Sequence, residues 1–285
     1  MAVTLRAGRP EDAAECGRIC HAAFTAIANA HNFPPDFPHA EAATGAVGAM
    51  LRNQNCYGVV AERDGKIVGS NFLDERGTVT GVGPITVDPA VQNSGVGGML
   101  MRDVMERSAA KGFAGIRLVQ AGYHMRSLSL YSKLGFEVRE HLSCFQGPAP
   151  AHAVDGYKVR AATEGDVAAC NALCFAVHGL ERGGELRDAI AQGSARVVER
   201  GGRITGYTTI VAFFGHTVCE TNDDLLALIG AAGAFPGPGF LVPSRNGAVM
   251  RWCLNRGLKI TQSLTLMTMG LYNEPAGSYL PSILY

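Results

Sequence analysis

The chain has 285 residues, 47% of them hydrophobic and 18% charged, with 25 basic and 25 acidic side chains and a formal net charge of zero. This supplies core enough for two domains and excludes a disordered chain. It also argues against nucleic-acid or membrane partners, because either class needs a basic excess to hold phosphates.

The first residues, M-A-V-T-L-R-A-G-R-P-E-D, place charges where a signal peptide would have its apolar segment. The pattern then reads as a short strand, a polar turn and a helix through 22. That unit recurs from Tyr157: aligned without gaps, Arg6, Ala7, Asp12, Cys16, Cys20 and Ala22 fall on Arg160, Ala161, Asp166, Cys170, Cys174 and Ala176. The segment H-N-F-P-P-D-F-P-H, 31–39, is a proline-stiffened loop. A hairpin follows around Asp64-Gly65, echoed around Gly201-Gly202. A strand ends near Val87, and a helix begins near Val96 with Val96, Leu100, Val104 and Ser108 on one face. An apolar strand at 115–119 precedes a helix closed by Gly135; Y-S-K-L-G-F-E-V there is echoed by C-L-N-R-G-L-K-I from Cys253. Residues 147–156 have linker composition. The chain thus divides into 1–146 and 157–285, two copies of one unit. The paired cysteines, four apart on helices, read as core packing and not as metal ligands, and the longest apolar run, 225–235, is too short to span a membrane. A cytoplasmic monomer or homodimer is expected, with no metal.

Between the strand at Val87 and the helix at Val96 lies V-D-P-A-V-Q-N-S-G-V-G-G. Amides at a helix N-terminus lack intrahelical partners and favour an anion, and glycines let the backbone approach it closely. No G-K-[ST] follows, which excludes a P-loop, and the dinucleotide fingerprint fails at Leu100. What fits is Q-x-x-G-x-G, at Gln92, Gly95 and Gly97. Downstream, Ser127, Leu130, Tyr131, Lys133, Gly135 and Phe136 fit N-x-x-A-x-x-L-Y-x-K-x-G-F, with His124 at the asparagine position. Together these motifs resemble the GCN5-related N-acetyltransferase (GNAT) family over about fifty residues.

The resemblance implies an α+β fold of two tandem GNAT-like domains, each a mixed, mostly antiparallel twisted sheet flanked by helices. It implies direct transfer of acetyl from acetyl-CoA to an amine of a small molecule or peptide. Ile85 and Val87 would border the pantetheine arm, and Gln92, Asn93, Ser94, Gly95, Val96, Gly97 and Gly98 the pyrophosphate, with His124 and Ser127 nearby. Tyr131 would be the acid for the leaving thiolate. The base stays open among Asp74, Glu75, His124 and a water chain. Phe33, Asp36 and Phe37 are candidates for the acceptor pocket. The second copy has Asp223 and Asp224 at the matching helix start and Cys253 where Tyr131 stands, so its cofactor site reads as lost. The alternative function is an acyl-CoA-binding or regulatory protein without catalysis. The apolar end, G-S-Y-L-P-S-I-L-Y, is expected to dock as a strand or at the domain interface.

Overall fold

Each echo in the sequence folds as an echo in space. The computed structural model describes residues 2–284. The first half runs β1 (Thr4–Ala7), α1 (Ala13–Ala30), α2 (Ala40–Arg52), β2 (Cys56–Arg63), β3 (Lys66–Asp74), β4 (Val79–Val82) and β5 (Thr86–Val87). It continues with α3 (Val96–Ala110), β6 (Gly115–Ala121), α4 (Met125–Lys133) and β7 (Glu137–Gln146). The second half repeats this order: β8 (Tyr157–Ala161), α5 (Val167–His178), α6 (Gly183–Ala191), β9 (Arg196–Arg200), β10 (Arg203–Thr208) and β11 (Thr217–Cys219). Then come α7 (Asn222–Gly230), β12 (Phe240–Pro243), α8 (Gly247–Asn255), β13 (Lys259–Gly270) and a closing strand, β14 (Ser278–Leu280).

The gapless alignment has a physical basis. Arg6 binds Asp12 at 2.7 Å and Glu62 at 2.8 Å, tying β1 to the start of α1 and to β2. Arg160 binds Asp166 and Glu199, both at 2.8 Å, in the same way. The arginine pulls both aspartates below the usual carboxylate range. Cys16, Cys20, Cys170 and Cys174 are fully buried in the cores under α1 and α5, and burial pushes the Cys16 thiol up to about 11.

The sheets are apportioned differently from the chain. One follows the order β1-β2-β3-β4-β6-β13-β7-β12, with β5 beside β3; the other is β14-β11-β10-β9-β8. Residues 147–156 carry no helix or strand, yet β13 from the second half inserts between β6 and β7 of the first. Placing Gly257 on Gly135 makes Leu264 the counterpart of Leu142, and these two buried residues face each other across the β7–β13 pair. His141 with Thr265 and Ser143 with Ser263 flank them symmetrically. A pseudo-twofold axis therefore passes through Leu142 and Leu264. Each half lends a strand to the other: β13 pairs β6, and β7 pairs β12, both antiparallel.

Helix α3 packs on the first sheet through Val96, Leu100, Val104 and Ser108, all buried. Helices α1 and α2 cover the opposite face around Cys16, Cys20, Val60 and Phe72. The closing strand β14 pairs with β11, and Ile283 donates to the Phe213 carbonyl at 2.8 Å. Among the described residues no helix is long and apolar enough to cross a membrane.

Candidate functional site

Strands β4 and β6 run parallel only as far as the Gly81–Arg117 pair. Beyond it β5 stays with β3, through Gly69–Val87 and Ser70–Thr86, while β6 continues to Ala121 beside β13. The strands part, and the gap between 82–87 and 118–121 opens into a cavity of about 790 Å³. This lies within the roughly 300–1,000 Å³ typical of small-molecule sites.

The glycine turn forms one end. Asn93 (φ 65°) and Gly95 (φ 86°) are both left-handed, and a Cβ on Gly95 would meet no atom within 4 Å. Gly95 N-caps α3 without a side-chain cap, and the first turn contains no acid. The first amides of α3 and its dipole therefore favour an anion there. Arg126 adds a cation to the rim: its guanidinium donates to Gln92 Oε1 at 2.7 Å and Asn93 Oδ1 at 3.3 Å. Gln92 in turn donates to the Val87 carbonyl at 3.2 Å, linking the strand end to the turn.

Tyr131, only 6% exposed, stands on α4 along the cavity wall, edge-on to Phe136 at 6.2 Å. Burial pushes its pKa up to about 12, with Ser127 acting against the shift. His124 N-caps α4, its Nδ1 accepting the Ser127 N–H at 3.2 Å. That bond occupies the Nδ1 lone pair. Burial, then the Arg126 charge, lowers the His124 pKa. The imidazole is thus neutral and poorly placed to accept a second proton.

At the other end the walls are apolar. Phe24 and Ile27 come from α1, Phe37 from the proline loop and Met50 from α2; the second half contributes Phe213, Phe214, Leu264 and Ile283. The one acid among the lining residues is Asp36. Burial pushes its carboxyl above the ordinary range, while Gln262 of β13 donates to its Oδ1 at 3.3 Å. Nearby Tyr123 is raised to about 12, by burial first and then by Asp36.

The structure brings together Ile85, Val87, Gln92, Asn93, Gly95, Val96, Gly97, Gly98, His124, Ser127 and Tyr131, with Asp36 and Phe37 at the far end. Two expected residues fall outside the lining. Ser94 turns its hydroxyl back to the Val91 carbonyl at 2.6 Å, closing the turn from behind. Phe33 belongs to the end of α1: Asn32 is left-handed, Phe33 donates its N–H to the Ala28 carbonyl at 2.9 Å, and its ring stacks on Tyr123 at 4.3 Å. Two base candidates are also absent from the lining. Asp74 is held by Arg76 at 2.9 Å, and Glu75 by Arg107 and Lys111 at 2.6 Å. Sequence reasoning missed Arg126, Gln120, Tyr123 and Gln262. The signal for Gln120 was present, a lone amide in the apolar strand G-I-R-L-V-Q-A. Among the described residues no group of three or more His, Cys, Asp and Glu side chains is placed to hold a metal.

The model of the acetyltransferase (GNAT) family matches residues 24–136, from α1 through the glycine turn to the residue after Gly135. This stretch of the first half matches the GNAT family, and it covers less than half of the chain. No curated protein matches the chain. Three solved structures share its fold over nearly the whole length. A candidate acetyltransferase from Pyrococcus horikoshii is 18% identical with a TM-score of 0.73, over 97% of this chain and 91% of that one. A GCN5-related N-acetyltransferase from Sphaerobacter thermophilus is 16% identical at 0.59, over 95% and 96%. A tandem GNAT protein from the clavulanic acid biosynthesis pathway is 11% identical at 0.57, over 94% and 98%.

The matching helix start in the second half is built differently. At the start of α7, Thr221 caps the helix and Asp224 caps it reciprocally, accepting the Thr221 N–H at 3.0 Å. Asp224 is fully buried and also accepts the Thr205 hydroxyl. An internal carboxylate thus fills the place that an anionic ligand would take in the first half.

Proposed function

We propose that this protein is an acetyl-CoA-dependent N-acetyltransferase acting on an amine of a small molecule or peptide. The observation that carries the reading is the single cavity that joins the glycine turn, the Tyr131 hydroxyl and the Asp36 carboxyl. The residues suit acetyl-CoA: open space above Gly95, a turn without acids and Arg126 on the rim match a pyrophosphate. The parted strands leave a slot for an extended arm. When bound, acetyl-CoA supplies the activated acetyl thioester.

The chain's own groups then divide the work. The Val96–Gly98 amides and Arg126 hold the phosphates, while Ile85 and Val87 border the arm. With its pKa raised to about 12, Tyr131 keeps its proton between pH 6 and 10 and donates a hydrogen bond to sulfur as charge develops there. Asp36, with its raised pKa, receives the cationic amine and takes its proton, making the nitrogen nucleophilic. Apolar walls from both halves exclude water and favour an acceptor with an apolar body. Phe37 and Met50 supply this surface from the first half, and Phe213, Phe214 and Ile283 from the second.

Calorimetric titration with CoA, followed by thiol release across a panel of amines, tests the proposal. CoA binding together with amine-dependent thiol release is expected. Failure to bind CoA would overturn the reading; binding without transfer to any amine would leave a CoA-binding protein in place of an enzyme.

A further inference from the structure

The wall of the gap contains a polar group that the proposed reaction does not use. Gln120 lies on β6, opposite Thr265 of β13, and only 6% of it is exposed. Its neighbours on the same strand face, Ile116 and Leu118, are core residues at 2% and 3%. Among the described residues neither end of its carboxamide has a hydrogen-bond partner, yet the residue lines the cavity. Across the gap, the buried Thr86 hydroxyl on β5 is likewise without a partner and lines the same cavity.

A buried amide lacking both its donor and acceptor bonds is costly, and buried polar groups in folded proteins are otherwise satisfied. A secondary amide of a ligand supplies a partner for either end, its C=O accepting from Nε2 or its N–H donating to Oε1, and two such amides along an extended arm satisfy both. We infer that Gln120 is a reading position for a secondary amide of the bound ligand. This rests on the proposed function, which places a ligand in the slot. Two ligands could carry that amide, the pantetheine arm of the coenzyme or the acceptor.

The test uses the full chain with Gln120→Met, close in volume but apolar, and Gln120→Glu, which keeps an acceptor. Without ligand, Gln120→Met should raise Tm by about 2–4 °C, because an unpaired buried amide is removed. A Gln120 bonded within the protein would give the opposite sign. Calorimetry then compares CoA with 3′,5′-ADP, which lacks the arm. If the amide is in the arm, Gln120→Met weakens CoA by roughly 5- to 100-fold, the loss of two neutral hydrogen bonds, and leaves 3′,5′-ADP unchanged. If the amide is in the acceptor, CoA binding is unchanged and KM rises for amide-bearing amines but not for simple alkyl amines. In either case Gln120→Glu recovers less than wild-type affinity. The inference is overturned if Gln120→Met lowers Tm, or if it matches wild type for CoA and every amine. Failure of the wild-type chain to bind CoA or 3′,5′-ADP would instead overturn the proposed function.

Discussion

Replacing Tyr131 by phenylalanine should lower kcat by roughly 10- to 100-fold while leaving CoA affinity close to wild type. The argument starts from burial, which pushes the Tyr131 hydroxyl up to about 12. A thiol of the coenzyme type has a pKa near 8.5. Full proton transfer from tyrosine to the thiolate is therefore uphill by about 3–4 pKa units, or roughly 5 kcal/mol. A hydrogen bond to the developing charge has no such penalty and contributes about 1.5–3 kcal/mol. That range sets the expected loss of rate. The variant keeps the ring against Phe136 and removes only the hydroxyl, so the fold should survive. The assay is thiol release in steady state from pH 6 to 10, with CoA binding by calorimetry. Tyr131 stays protonated throughout that window, so wild type and variant should differ by a constant factor. A drop of 10⁴ or more, or a basic limb near pH 9 that disappears in the variant, would mean that Tyr131 gives up its proton outright. Unchanged kcat would reduce Tyr131 to packing.

In wild type, kcat/KM should rise with pH through a limb above the ordinary carboxylate range, and Asp36→Asn should remove that limb; a limb that persists assigns the base elsewhere. Gly95→Ala should lower stability by only about 1–2 kcal/mol, because a left-handed backbone strains a Cβ that meets nothing, yet CoA affinity should fall much further; equal losses in melting and calorimetry would deny the turn a binding role. Acid should destabilise the fold through the buried pair in the second half, where His216 Nδ1 lies 3.2 Å from Glu185. Burial first, then Arg182, lowers His216 to about 4, while Arg182 and His216 hold Glu185 below its usual range. Both folded pKa values are depressed, so the unfolded chain binds more protons and stability falls as pH drops from about 6.5 towards 4. Urea midpoints against pH measure this, and His216→Asn should flatten the slope. A chain ending at Gly277 loses β14, with Tyr279 and Leu280 both buried, and the cavity wall at Ile283. Its stability should fall by roughly 3–6 kcal/mol, with a raised acceptor KM; an unchanged melting curve would show that the tail is dispensable.

The sequence disclosed what is local. The Arg6 and Arg160 clusters, the left-handed hairpin turn at Asp64-Gly65, the buried face of α3 and the self-capped start of α7 all depend on residues close in the chain or on a repeat visible without gaps. The glycine-turn end of the cavity was legible for the same reason, since a single turn forms it. The apolar end was not. Its floor and walls combine α1, the proline loop and α2 with Gln262 and Phe213 of the second half. Alternation along β13 shows which residues share a face but not which strand lies alongside. Phe33 and Phe37 look equivalent in H-N-F-P-P-D-F-P-H, and only the left-handed turn at Asn32 separates a helix cap from a cavity wall.

The exchanged strands also put a clock on synthesis. Gly115 of β6 finds its partner in Gly270, 155 residues later. At about 5–20 residues per second on the ribosome, β6 waits roughly 8–30 s for β13. During that interval the first half has its glycine turn, Tyr131 and most of its sheet, but β6 has an open edge beside an apolar cleft and β7, whose two neighbours both come from the second half, has no partner. Such an edge invites pairing with another nascent chain. Both copies of the unit therefore have to be translated before either is safe from its neighbours, which ties the survival of the half without a cradle to that of the half that has one.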